Sequence, residues 1–145
     1  MTKTHDLLIG LEWKRSAQTT PVVNPFTGEA FAEVCLADSS EINQAIHLAE
    51  KAFLKTSILP AYKRSQICSD VARSINNRLE EFAITIAKES GKPLIYARNE
   101  VARSVSTFEI ASQEALRLDG EMLTLDITES ARGKAGLTKR FPIGP

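Results

Sequence analysis

The feature that most constrains the fold of this chain is helical periodicity over residues 38–120, with a sharply marked junction inside it. In the segment KESGKP, Gly91 is suited to end a helix, Lys92 complements the helix dipole, and Pro93 prevents the helix from continuing. A further helix is indicated just beyond, beginning near Tyr96. The segment 38–120 is therefore predicted to form consecutive helices rather than one long helix.

Capping signals and apolar spacing divide this segment into four helices. Asp38 with Glu41 forms a capping-box signature, and Asn77 with Glu80 repeats it before the third helix. Pro60 can open the second helix. Apolar residues recur at helical spacing on each helix and are predicted to face a core. They are Ile42, Ala45, Ile46, Ala49 and Phe53; Ile67, Val71, Ala72 and Ile75; Leu79, Phe82, Ala83 and Ile86; and Val101, Val105, Phe108, Ala111, Ala115 and Leu116.

Residues 7–36 and 121–141 show β patterns on either side of the helices. The first region contains a strand candidate, LLIGLEW, and two extended runs joined by a turn at residues 24–28. The second contains the runs EMLTLDI and KAGLTKRF around a polar turn. Because an isolated two-stranded ribbon is only marginally stable in water, these ribbons are predicted to pair with a partner subunit or with further polypeptide.

Composition excludes several classes of partner. The 145 residues include 18 basic and 18 acidic side chains, so no net charge attracts nucleic acid or an anionic membrane. No apolar run approaches the roughly 20 residues of a membrane-spanning helix, and the N-terminus does not resemble a secretory signal. The two cysteines, Cys35 and Cys68, have no metal-ligand spacing. We therefore expect a cytoplasmic protein in which both cysteines are small buried side chains rather than nucleophiles.

The residues alone indicate no self-contained active site. The sequence has no phosphate-binding glycine loop and no nucleophile-elbow motif. His5 and His47 are expected to be solvated, and the Glu80–Glu81 pair is explained by the favourable field at a helix N-terminus. No catalytic, cofactor-binding or metal-binding residue is therefore assigned.

Arg103 is the one basic residue with a specific functional alternative. It lies off the apolar stripe of its helix, three residues after Glu100. One interpretation is a surface ion pair between Arg103 and Glu100. The other is a guanidinium presented to an anionic ligand, for which its planar donor geometry is well suited.

Several motifs, taken together, resemble the N-terminal part of the aldehyde dehydrogenase superfamily. They are IGLEW, VVNPFTGEAFAEV, INQAIHLAEKAF, KESGKPL with ARNEVARSVSTFEIASQEALRLDGE, and LTKRFPIGP. The resemblance covers essentially the whole chain. One departure is Leu11, where the family more usually has glycine before Glu-Trp. The EVAR helix is most similar to the branch acting on lactaldehyde, phosphonoacetaldehyde and, without phosphorylation, glyceraldehyde-3-phosphate.

This resemblance implies an α/β fold of which the chain supplies only the N-terminal helical part of the cofactor-binding domain, flanked by β-ribbons. It implies oxidation of a small aldehyde, which can be anionic, by NAD or NADP, through a thiohemiacetal on a cysteine. Neither Cys35 nor Cys68 matches that nucleophile, so residues 1–145 alone are expected to be inactive. Arg103 matches an arginine that contacts the substrate anion in some relatives.

The resemblance also gives the ribbons a role, because in the family they contribute to homo-oligomerisation. An alternative from a different functional class stays open. The chain could be a non-catalytic truncated module that associates with full-length dehydrogenase subunits through these ribbons.

Overall fold

The N-terminal β-region of the computed structural model, which describes residues 3–145, forms two separate small sheets. Its five strands are β1 (Lys3–His5), β2 (Leu7–Ile9), β3 (Glu12–Lys14), β4 (Thr19–Val23) and β5 (Ala30–Cys35). Strand β5 lies between β1, to which it is parallel, and β4, to which it is antiparallel. Strands β2 and β3 form an antiparallel hairpin.

The turn predicted at residues 24–28 is confirmed. Gly28 has a φ of +73°, and its N–H donates to the carbonyl of Asn24 over 2.8 Å. The Asn24 side chain also accepts from the N–H of Phe26 at 2.9 Å. The single strand predicted for LLIGLEW is wrong, because the chain reverses at Gly10, with a φ of +66°, and forms the β2–β3 hairpin.

Four helices follow, as the periodicity predicts. They are α1 (Ser39–Thr56), α2 (Ala61–Asn77), α3 (Leu79–Ser90) and α4 (Leu94–Glu114). The capping box of α1 is confirmed: Asp38 Oδ1 accepts from the N–H of Glu41 at 2.8 Å, and Glu41 Oε2 accepts from the N–H of Asp38 at 3.0 Å. The predicted cap at Asn77 is wrong. Asn77 is the last residue of α2, and Arg78 precedes α3 without a side-chain cap.

The core lies where α4 packs against α2 and α3. Ala83, Ala97 and Val101 are its buried centre, and their small size lets the helices approach closely. The prediction that all four apolar stripes are buried is only partly right. Ile42 and Ile46 on α1 are 50% and 54% exposed. Ile42 and Ile46 are therefore largely uncovered within residues 3–145, whereas Phe53, farther along the stripe, is half-buried beside the segment 139–145.

The C-terminal region forms the predicted antiparallel ribbon, but a short one. Strands β6 (Met122–Thr124) and β7 (Ala135–Leu137) pair over three residues each, with a 3₁₀ turn at Glu129–Ala131 between them. Met122 and Leu137 are 79% and 82% exposed. The ribbon thus presents apolar side chains that no other described segment covers.

Candidate functional site

The junction between α3 and α4 is held by local backbone signals and by one close contact. Gly91 adopts a φ of +67°, and its N–H donates to the carbonyl of Ala87 at 2.9 Å. Pro93, with a φ of −57°, precedes the first residue of α4. A Cβ on Gly91 would lie 2.9 Å from Cγ of Pro25. The junction therefore packs directly on the turn at residues 24–28.

Lys92, in this junction, forms an ion pair with Glu100 of α4. Lys92 Nζ donates to Glu100 Oε2 at 2.6 Å, and about a third of each side chain is exposed, 34% and 38% respectively. The hydrogen bond from Lys92, together with its charge, lowers the pKa of the Glu100 carboxyl, and the charge of Arg103 lowers it further. Glu100 is therefore an ionised carboxylate with a cation on either side, and only Lys92 is in contact with it.

Arg103 lies on α4, exposed to solvent, one turn beyond Glu100. The predicted ion pair between Arg103 and Glu100 does not form, because Glu100 is bound to Lys92 instead. Within residues 3–145 the Arg103 guanidinium has no hydrogen-bond or ion-pair partner. Its five N–H donors remain available, which is the state in which a guanidinium can bind an anion.

Polar neighbours share the face of α4 that carries Arg103. Asn99 lies one turn before it and Thr107 one turn after it, and both are exposed. The Thr107 hydroxyl donates to the backbone carbonyl of Arg103 at 2.9 Å. This face could recognise a small polar molecule through one charge and an adjacent amide. Helix α4 carries no cysteine, and the carboxylate three residues before Arg103, Glu100, is bound by Lys92.

The other candidate residues have structural partners. Cys35 is buried in β5, where its Sγ accepts from the N–H of Ser16, and Cys68 is half-buried in α2. Glu80 pairs with Arg98 at 2.7 Å, which lowers the pKa of its carboxyl. His47 lies on the outer face of α1 beside Glu50, at 3.6 Å. None of these groups points to catalysis.

Sequence reasoning missed a groove of about 860 Å³ between α1 and the segment 139–145. Phe53 and Phe141 line it, together with Arg64. The guanidinium of Arg64 donates to the carbonyls of Leu59 and Ala115, so it holds the chain between α1 and α2 to the end of α4. The apolar stripe of α1 was the available signal, but periodicity alone cannot say what covers a stripe.

Residues 3–145 contain no group of three or more His, Cys, Asp and Glu side chains placed to hold a metal ion. No helix in that range is long and apolar enough to cross a bilayer.

Comparison with known proteins gives one consistent result. Residues 13–145 match the model of the aldehyde dehydrogenase family. A 3-sulfolactaldehyde dehydrogenase from Priestia aryabhattai is 31% identical over 142 residues, which are 98% of this chain and 29% of that protein. The chain therefore spans less than a third of this relative's length.

Solved structures agree with the sequence comparison. Aldehyde dehydrogenase 21 from Physcomitrella patens, in complex with the reaction product succinate, superposes with a TM-score of 0.90 at 33% identity, over 98% of this chain and 30% of that one. A salicylaldehyde dehydrogenase from Pseudomonas putida G7, complexed with salicylaldehyde, gives a TM-score of 0.86 at 26% identity, over 100% of this chain and 29% of that one.

Proposed function

The chain belongs to the aldehyde dehydrogenase family, and on that premise we propose that it is the N-terminal part of an NAD(P)-dependent enzyme that oxidises a small anionic aldehyde to the carboxylic acid. The α-helical region, residues 38–120, would belong to the cofactor-binding domain. Arg103 would contact the anionic group of the substrate. The observation that carries this proposal is the exposed guanidinium of Arg103 on α4, which has no partner among residues 3–145.

Two of the similar proteins support an anionic substrate. One is named for 3-sulfolactaldehyde, which carries a sulfonate, and the other was solved with succinate, a dicarboxylate. A planar guanidinium can donate two parallel hydrogen bonds to either group. The salicylaldehyde complex is a similar fold with a substrate that lacks such a group. The fold alone therefore does not decide the substrate class, and our assignment of an anionic substrate depends on Arg103.

The proposal requires polypeptide beyond residues 1–145. Oxidation through a thiohemiacetal needs a thiolate, donors for the oxyanion, a carboxylate base and a nicotinamide that accepts hydride. Cys35 is buried in β5 and Cys68 lies in α2, so neither is on the helix that carries Arg103. Residues 1–145 by themselves are therefore expected to be catalytically inactive and to contribute substrate recognition.

The β-ribbons and the cellular location complete the proposal. The exposed apolar residues of β6 and β7, including Met122 and Leu137, would be covered in a homo-oligomer, since uncovered strands invite aggregation. The enzyme would work in the cytoplasm, because both cysteines are free thiols.

The experiment compares two substrates that differ by a single group. In the full-length enzyme, KM is measured for 3-sulfolactaldehyde and for lactaldehyde, which lacks only the sulfonate, in the wild type and in Arg103→Gln. Loss of a hydrogen-bonded charge is worth about 1.5–3 kcal/mol, so we expect KM for 3-sulfolactaldehyde to rise roughly 10- to 100-fold. KM for lactaldehyde should hardly change. An unchanged KM for the sulfonate would refute the role of Arg103.

A second candidate function is favoured by the exposed apolar surface. Ile42 and Ile46 of α1, with the groove beside Phe53, form a surface that could bind another protein. On this alternative the chain is a non-catalytic module that associates with full-length dehydrogenase subunits. Sedimentation of the purified chain, alone and mixed with a full-length relative, separates the two: stable co-sedimentation favours the module, and aggregation of the chain alone argues against it.

A further inference from the structure

The environment of Glu100 suggests how Arg103 is kept available. Glu100 and Arg103 are three residues apart on α4, the spacing at which a carboxylate and a guanidinium readily pair. They do not pair, because Lys92, in the junction before α4, binds the carboxylate at 2.6 Å. Gly91 turns the chain with a positive φ immediately before Lys92.

We propose that Lys92 is a specificity-determining positioning residue, which holds the Glu100 carboxylate so that the Arg103 guanidinium stays free for an anionic ligand. This inference rests on the proposed function, because it assigns a consequence to the anion-binding role of Arg103. Lys92, which lies outside α4, would then help Arg103 to set the affinity for an anionic ligand. Lys92 itself is occupied by Glu100 and would not contact the ligand.

The charge arrangement makes the effect of losing Lys92 specific. Without Lys92, the Glu100 carboxylate can turn along α4 to the nearest cation, which is Arg103. An anionic ligand must then displace that carboxylate and also approach its negative charge. Pairs at this spacing are weak, so the expected rise in KM for an anionic substrate is about two- to five-fold. A neutral substrate encounters neither obstacle.

The exchange of partners can be measured in the full-length enzyme by NMR titration of the Glu100 side-chain carboxyl. The pKa of that carboxyl is compared in the wild type, Lys92→Met, Arg103→Gln and the double variant. We expect Arg103→Gln to raise the pKa only slightly when Lys92 is present, and clearly more in the Lys92→Met background, where Arg103 has become the partner. An equal effect of Arg103→Gln in both backgrounds would overturn the inference.

The functional consequence is tested in the full-length enzyme with the same pair of aldehydes. Lys92→Met should raise KM for 3-sulfolactaldehyde and leave KM for lactaldehyde and kcat unchanged. Lys92→Arg should keep the wild-type KM for 3-sulfolactaldehyde. The double variant Lys92→Met/Glu100→Gln should restore that KM, because it removes the competing carboxylate and leaves the net charge unaltered. If the double variant stays impaired, Lys92 acts directly or only structurally, and the inference fails.

Two further variants complete the design. Arg98, on the same helix as Arg103, pairs with Glu80 of α3, and Arg98→Gln breaks this ion pair and should change neither KM. Arg103→Gln separates the two proposals: if it leaves KM for 3-sulfolactaldehyde unchanged, the proposed function is wrong. If Arg103→Gln raises that KM and Lys92→Met does not, only the role of Lys92 is wrong.

Discussion

Replacing Gly91 by alanine tests whether the helix junction is fixed by its backbone conformation alone or also by its contact with Pro25. Gly91 has a φ of +67°, and an added Cβ would lie 2.9 Å from Cγ of the proline ring. Gly28 provides a matched control, because its φ is +73° and an added Cβ there meets nothing within 4 Å. The two substitutions therefore differ in the steric contact and share the backbone strain.

The expected magnitudes follow from these two contributions. A non-glycine residue in the left-handed region is unfavourable by roughly 1–2 kcal/mol, which is the whole effect expected for Gly28→Ala. Overpacking against a rigid neighbour adds about 1–3 kcal/mol. Gly91→Ala should therefore lower the free energy of unfolding by about 2–5 kcal/mol, a large part of the total stability of a typical domain.

The assay is urea denaturation of the wild type and of both variants, with a double-mutant cycle that includes Pro25→Ala. If the ring contact contributes, Gly91→Ala is less destabilising in the Pro25→Ala background, by about 1 kcal/mol or more. Equal losses of unfolding free energy for Gly91→Ala and Gly28→Ala, with no coupling to Pro25, would show that the Pro25 ring makes no steric contribution. The junction would then be independent of the turn at residues 24–28.

Three further predictions concern the same scaffold. Asp38→Ala removes the side-chain acceptor at the start of α1 and should lower the free energy of unfolding by about 1 kcal/mol. Asp38→Asn keeps an acceptor and should retain most of the wild-type stability, and urea denaturation measures both variants. Val101→Ala leaves a cavity where the side chain is only 2% exposed, and a loss of about 2 kcal/mol is expected; a loss below about 0.5 kcal/mol would mean that this core is loosely packed. Hydrogen bonds from Arg98 and Lys92 lower the pKa of Glu80 and Glu100, respectively, from the ordinary value of 4.5. These two ion pairs therefore stabilise the fold above pH 4.5, and their contribution is lost as the pH falls through the lowered pKa values. Glu80→Gln should therefore flatten the dependence of unfolding free energy on pH below about 4.5, and an unchanged slope there would contradict the pairing.

Features that depend on neighbouring residues were predictable from the sequence. The capping box of Asp38, the end of α3 at Gly91 and the turn at residues 24–28 are each decided by side chains within a few positions of one another. The structure confirms all three. The resemblance in the motifs was equally informative about the family, which the comparisons confirm.

Features that depend on distant residues were not predictable. Strand β1 pairs with β5 across the hairpin, and no local pattern specifies that partner. Ile42 and Ile67 have helical spacing typical of a core, yet both are at least half exposed, because spacing identifies an apolar face but not what covers it. Glu100 likewise has Arg103 at a favourable spacing on α4, but Lys92, outside that helix, binds it.

We have proposed that residues 1–145 are the N-terminal part of an NAD(P)-dependent aldehyde dehydrogenase. The most direct test is the intact mass of the protein purified from its native source, together with aldehyde-dependent formation of NADH or NADPH. We expect a polypeptide several times longer than 145 residues that oxidises 3-sulfolactaldehyde or another anionic aldehyde. A native polypeptide of 145 residues that forms no NADH or NADPH with any aldehyde would contradict the claim and favour the non-catalytic module.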